Sequence, residues 1–232
     1  MTSEVQSIRE RYSRRDHGRD ARIYHPTHPA ALMSAQERER VLARWLRRMG
    51  ADPAALKLVE VGCGTGRILL DFLRLGFRPE HLLGNDLLPA RIEEATVTLP
   101  AAVRLVCCDA MDLEVEKESC DVVVQSTVFT SIQDRDFQKA LARRMWSWVA
   151  PGGGVLWYDF VYDNPRNPDV KGVPVARIRE LFPECCEFQH WRLTLAPPLS
   201  RLVTRVHPFC YQLFNLVPLL RTHVLCWIRK AP

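Results

Sequence analysis

The sequence predicts an α/β fold in which seven strands form a mostly parallel sheet with helices on both faces. Three observations carry this. Short apolar runs alternate five times with amphipathic stretches. The runs are apolar almost throughout, as in strands covered on both sides. The first run passes through a glycine-rich turn straight into a helix, and parallel sheets bind ligands at such carboxyl-end junctions. Two strand-like stretches near the C-terminus raise the number of strands to seven.

The chain opens with a polar, Arg-rich, loosely held segment. A helix follows over Ala35–Met49, where Val41, Leu42, Trp45, Leu46 and Met49 recur at helical spacing before Gly50. Lys57–Val61 is the first strand, Gly62–Gly66 a tight turn, and the next helix runs through Leu75 to a stop at Gly76. His81–Asp86 is the second strand, Pro89–Thr98 a helix with proline in its first turn, and Val103–Cys107 the third strand. Asp121–Gln125 is the fourth; a helix over about Asp134–Val149, a turn at Pro151–Gly154 and a fifth strand at Val155–Phe160 complete the alternation. After a short helix at Val175–Phe182, the stretches Glu187–Leu195 and His223–Lys230 are separated by 27 residues, more than a hairpin needs. Inside that connection Leu202, Val203, Val206, Leu213, Phe214 and Val217 recur at helical spacing, and Pro198, Pro208 and Pro218 divide it into short pieces. The expectation is a helical cap over 196–222, with extra core packing or a membrane-surface helix as the alternatives.

The 232 residues, 47% hydrophobic and 25% charged, predict one globular domain over 1–232: a helical cover at 1–50, a binding core at 56–160 and the cap. No apolar run is long enough for a transmembrane span, and the polar N-terminus does not read as a secretory signal, so the expected location is cytoplasmic. Eight cysteines, two pairs of them adjacent and none in CxxC, read as reduced thiols, and no metal site is expected. The net charge of +5 divides into +5 over residues 1–48, −6 over 49–170 and +6 over 171–232. Basic ends could meet an acidic substrate or nucleic acid, or be solvated helix faces.

The sharpest motif is Val59–Arg67, VEVGCGTGR. A dinucleotide fingerprint would place its third glycine at position 67, which is arginine, and no Gly-Lys-Ser/Thr follows for a phosphate-gripping loop. The loop Glu60–Gly66 instead resembles the first motif of the class I S-adenosylmethionine (SAM)-dependent methyltransferases, an acid followed by Gly-x-Gly-x-Gly. Asp86, 20 residues past Gly66, stands where that family holds the ribose hydroxyls, and Asp109 in VCCDAMDL where it marks the adenine site. The resemblance spans about 56–160 and implies a Rossmann-like sheet whose last strand is antiparallel. It also implies a cofactor site: Glu60, Gly62, Cys63 and Gly64 at the methionine end, Asp86 and Leu87 at the ribose, Asp109, Ala110 and Met111 at the adenine, and Gln125 at the fourth strand. Tyr12 and Arg15 stand in a stretch that, with Tyr24-His25, would fold over the cofactor, an arginine pairing with the methionine carboxylate.

The sulfonium of SAM already activates the methyl group, which leaves the protein alignment, exclusion of water and, for a hydroxyl acceptor, removal of a proton. Family members that methylate amino groups of nucleic acids often carry Asn/Asp-Pro-Pro-aromatic after the fourth strand; here Gln125–Phe129 reads QSTVF, so amino-group methylation of DNA bases loses support. Candidate bases are His223 at the start of the last strand, Asp159 at the end of VLWYDF and His207 in the cap, the first two expected to face the methyl group together. Asp163–Pro168, just past the fifth strand, supplies turn chemistry where a substrate would sit. The expected activity is methylation of a hydroxyl on a sugar or secondary metabolite, releasing S-adenosylhomocysteine. The rivals are an RNA or amine N-methyltransferase and a non-catalytic SAM-binding regulatory protein. A small molecule is the expected partner rather than nucleic acid, and oligomeric state is not legible.

Overall fold

The computed structural model describes residues 3–18, 25–163 and 167–232. Seven strands form one sheet: β1 (Leu58–Val61), β2 (Leu82–Asp86), β3 (Arg104–Cys107), β4 (Cys120–Ser126), β5 (Val149–Phe160), β6 (Glu187–Leu195) and β7 (Arg221–Arg229). Their spatial order is β3-β2-β1-β4-β5-β7-β6; β7 runs antiparallel to β5 and β6, and the other pairings are parallel. Chain order reverses between β1 and β4, so the crevice beyond Val61, paired with Asn85 on one side and Gln125 on the other, is where a ligand site opens.

Helices α1 (Ser3–Gly18), α2 (Pro29–Met49), α3 (Arg67–Arg74), α4 (Pro89–Thr98), α5 (Arg135–Trp148) and α6 (Val175–Leu181) flank the sheet, and α7 (Pro197–Val206) and α8 (Phe209–Asn215) lie between β6 and β7. One core packs α5 and α6 through Leu141, Met145, Trp148, Ile178 and Leu181 onto Val123, Val155 and Trp157. The other packs α2 and α3 through Leu42, Trp45, Leu69 and Phe72 onto Leu58, Val122, Leu156 and Leu225. At ~25 cal/mol per Å² of buried apolar area, these two layers are the main attraction holding the fold.

Three elements differ from expectation. The N-terminal segment is a docked helix: Val5 and Ile8 are buried and Tyr12 packs beside them, one stripe at spacings of three and four that the arginines obscure in the sequence. Helix α2 begins at Pro29, six residues before the predicted start, because proline fits the first helical position and the His28 side chain accepts the Ala30 N–H. Pro151–Gly154 is not a turn outside the sheet but part of β5. A Cβ at Gly153 would stand 2.7 Å from the Asp121 carbonyl oxygen, and one at Gly154 would stand 2.6 Å from that of Ile228, so only glycine lets the strand pass between β4 and β7. All eight cysteines are free thiols.

Candidate active site

A cavity of about 350 Å³ opens beyond the carboxyl ends of β1, β2 and β4, within the usual size range for small-molecule sites. Its floor is the loop after β1. Gly62 sits at φ +66°, and a Cβ there would meet Val128 Cγ2 at 2.5 Å. Gly64, at φ +55°, borders open space, with Arg91 Nη1 at 3.9 Å the nearest atom to a built Cβ. The first glycine thus serves the fold, and the second keeps backbone bare towards the cavity. Cys63 borders the cavity but packs into the sheet against Gly84, and burial pushes its thiol pKa up, so it is no nucleophile.

Three acids and their neighbours line this space. Glu60 is buried, and its Oε2 has no hydrogen-bond partner among the described residues. Burial raises its pKa well above the carboxylate range, with Arg38 opposing and Asp71 and Asp86 adding. Asp86 accepts the Gly64 N–H on Oδ2 and the Leu88 N–H on Oδ1, both at 2.9 Å, which fixes its carboxylate against the glycine loop while each oxygen keeps a second lone pair. Asp109 accepts the Met111 N–H at 2.9 Å, and Leu87 and Ala110 complete the wall. A group with a cationic or donor-bearing end at Glu60 and a diol at Asp86 fits these residues, because an unpaired buried carboxylate oxygen is costly without a donor.

Helix α1 covers the cavity. Val5, Ile8, Arg9 and Tyr12 face it; Tyr12 Oη bonds Ser131 Oγ at 3.1 Å, and the Arg91 guanidinium lies over the Tyr12 ring at 4.6 Å. Arg11 anchors the helix by donating to the Ser131 carbonyl at 2.9 Å, and Glu4 of the same helix, which Arg11 also meets at 2.7 Å, accepts the Gln133 N–H at 2.9 Å. On the other wall Thr127 is left-handed at φ +58°, rare for a β-branched residue, and is held by its N–H to the Tyr158 carbonyl at 2.8 Å.

Several expected site residues lie elsewhere. Met111 packs against the core behind Asp109 and does not line the cavity. Gln125 is fully buried; its Oε1 accepts the Val128 N–H at 3.1 Å, so it braces the loop that lines the cavity and does not line it. The side chain of Arg15, all of Tyr24, and Asn164–Arg166 lie outside the described residues. Arg9, Arg67, Arg91 and Val128 line the cavity and were not singled out in the sequence. Only Arg67, next to the glycine loop, carried a local signal.

The candidate bases do not converge. His223 pairs in register with Phe160, so its side chain shares that residue's face of the sheet, whereas the neighbouring Asp159 points to the opposite face. Asp159 is buried against Thr130, whose N–H it accepts at 3.2 Å, and touches no cavity wall; burial pushes its pKa up to about 7. His207 ends α7, exposed, and its Nδ1 accepts the Phe209 N–H at 3.2 Å. His223 instead lines a second cavity of about 350 Å³ with Ser34, Arg38, Tyr158, Thr194, Ser200 and Arg201. This cavity shares Arg67 and Ile68 with the first. Burial, aided by Arg38, lowers the His223 pKa to about 4, and Nδ1 bonds Thr222 Oγ1 at 3.0 Å. Tyr158 Oη meets Thr194 Oγ1 at 2.8 Å, Thr194 is itself left-handed at φ +64°, and the buried Ser200 hydroxyl has no partner among the described residues.

Residues 58–153 match a methyltransferase domain. Phosphoethanolamine N-methyltransferase 1 of Arabidopsis thaliana is 28% identical over 130 residues, 55% of this chain and 25% of that protein; the Triticum aestivum protein of the same name is 30% identical over 110 residues, 46% and 21%. The chain thus spans about a quarter of the length of the curated relatives it matches. The Burkholderia thailandensis 1,6-didemethyltoxoflavin-N1-methyltransferase, solved with 1,6-didemethyltoxoflavin and S-adenosylhomocysteine, superposes with TM-score 0.66 at 17% identity, covering 100% of this chain and 92% of that one. The [4+2]-cyclase SpnF superposes with TM-score 0.58 at 15% identity over 82% and 81%. Residues 58–153 thus form a methyltransferase domain on a Rossmann-like sheet, a fold the chain shares with S-adenosylmethionine-dependent methyltransferases.

Proposed function

We propose that the chain transfers the methyl group of SAM to a hydroxyl oxygen of a small molecule, such as a sugar or secondary metabolite, and releases S-adenosylhomocysteine. The observation that carries this reading is the second cavity, which adjoins the first across Arg67 and Ile68 and is lined by hydroxyls and an imidazole. When bound, the cofactor supplies an electrophilic methyl group. This chain's residues do the rest. Asp86 holds a diol, Glu60 meets the methionine end, Asp109 and Ala110 border the adenine, and α1 excludes water. Tyr158, Thr194 and Ser200 orient the acceptor.

His223 is neutral near pH 7, since its pKa lies at about 4. It accepts a hydrogen bond from the acceptor hydroxyl and is too weak a base to take the proton before the methyl moves. Asp159, expected as a base, becomes a positioning residue through Thr130. A nitrogen acceptor is the second reading, favoured by relatives whose names specify N-methyl transfer.

The test supplies methyl-labelled SAM with sugars, phenols, amines and RNA, and identifies the product by mass spectrometry. A labelled ether from a small molecule is expected. Label only on nitrogen or RNA overturns the oxygen assignment, and cofactor binding without turnover of any acceptor favours a regulatory or other non-methylating role. With the true acceptor, His223→Ala should lower kcat ~10-fold with SAM affinity unchanged. The wild-type rate should show no loss attributable to His223 between pH 8 and 6, because that group titrates at about 4.

A further inference from the structure

The cap leaves large apolar side chains outward, while its inner side buries polar groups beside a small apolar cluster. The inward faces of α7 and α8 carry buried Ser200, Val203, Thr204, Tyr211 and Asn215. The outward faces carry Leu202 and Val206 on α7, exposed to 60% and 82%, and Phe209 and Leu213 on α8, exposed to 65% and 55%. Leu216 and Leu219, just beyond α8, are 71% and 82% exposed. The spacing of four within each helix aligns these side chains in stripes, and α7 packs directly on α8. Folding alone does not produce this pattern, which leaves large apolar groups in water while burying hydroxyls and an amide.

The inward polar groups are tied down. The buried Glu37 of α2 accepts bonds from Tyr211 Oη at 2.6 Å, Asn215 Nδ2 at 2.7 Å and the Thr194 N–H at 3.0 Å. That network fixes which side of the cap faces in and leaves the apolar side facing out.

Charge selects the occupant. No Asp or Glu occurs after Glu187, and Arg205 and His207 are exposed beside these apolar side chains. A second copy of the chain placed on this face by two-fold symmetry would set arginines against arginines with no acid to pair them. An anionic bilayer offers both an apolar interior for the leucines and Phe209 and negative headgroups for Arg205. We propose that the outward face of α7 and α8, with Leu216 and Leu219, is a docking surface for an anionic lipid membrane. Because α7 also supplies Pro197, Ser200 and Arg201 to the second cavity, a chain docked this way holds that cavity beside the lipid.

The test is co-flotation of the full chain with vesicles of phosphatidylcholine alone and of phosphatidylcholine mixed with phosphatidylglycerol in equal parts, at low and high salt. The wild type should float with the anionic vesicles and be released in part by salt. Phe209→Glu with Leu213→Glu should weaken this at least ~100-fold, through loss of two inserted side chains and gain of two repelled charges. Arg205→Gln should weaken it about fivefold on anionic vesicles and leave neutral ones unchanged. Leu219→Asp, beyond α7 and α8 in a short 3-10 turn, guards against a cap that fails to fold and should weaken flotation in the same direction. Unchanged SAM affinity in each variant shows that the loss is confined to the surface. A wild type that stays out of both vesicle types overturns the proposal. If it is also a dimer by light scattering, and Phe209→Glu with Leu213→Glu makes it a monomer, the face joins two copies instead.

Discussion

Replacing Asp159 with asparagine should change how stability depends on pH, by an amount set by burial. Asp159 is fully buried and its pKa is raised from 3.8 to about 7 despite the N–H groups of Thr130 and Phe160 that bond its oxygens. A carboxyl with a raised folded-state pKa favours folding fully below its unfolded value, near 4, and loses that contribution as pH rises through 7. The shift of about three units corresponds to ~4 kcal/mol in total, of which roughly 2–3 kcal/mol falls between pH 5 and pH 8. Asparagine does not titrate, but it presents only one acceptor oxygen to two N–H groups, at a cost of about 1–3 kcal/mol. Urea unfolding of wild type and Asp159→Asn at pH 5, 6, 7 and 8 isolates the effect, because the other titrations cancel in the difference. The variant should be the less stable protein at pH 5, with the gap closing or reversing by pH 8. A difference constant across that range would refute the reasoning and mean that Asp159 is already ionised at pH 5.

Glu37→Ala should strand the Tyr211 hydroxyl, the Asn215 amide and the Thr194 N–H in a buried space. A loss of ~3 kcal/mol or more and a Tm lower by roughly 6–12 °C are expected by calorimetry. Asp86→Ala removes the acceptor for Gly64 and Leu88 and the proposed diol partner; calorimetric titration should show SAM affinity falling ~100-fold, and an affinity equal to wild type would remove that role.

What the sequence made legible was whatever local patterning controls. The buried strands read as apolar runs, the glycine turn as a bare backbone, and Asp86 and Asp109 as acids at strand ends, which the fold carries to the rim of one cavity. The relation of His223 to Asp159 was not legible, because the side-chain direction in a strand flips with every residue and β7 pairs Phe160, not Asp159, with His223. Nor was the second cavity, assembled from α2, α3, β5, β6, β7 and α7, whose residues are far apart in the chain. In α1 the apolar stripe of Val5, Ile8 and Tyr12 is narrow and surrounded by charge, so the segment read as loosely held. The cap's helical periodicity was visible, but a period does not reveal which face turns inward. That choice follows from Glu37, more than 150 residues earlier in the chain than its partners.

The central claim is that the space beneath α1, between the glycine loop and Asp86, holds SAM. Calorimetric titration of SAM into the wild-type chain tests it directly. The account predicts saturable binding of one cofactor per chain, with S-adenosylhomocysteine competing for the same site. No binding of either compound, or stoichiometric binding of a nicotinamide dinucleotide in its place, would contradict it.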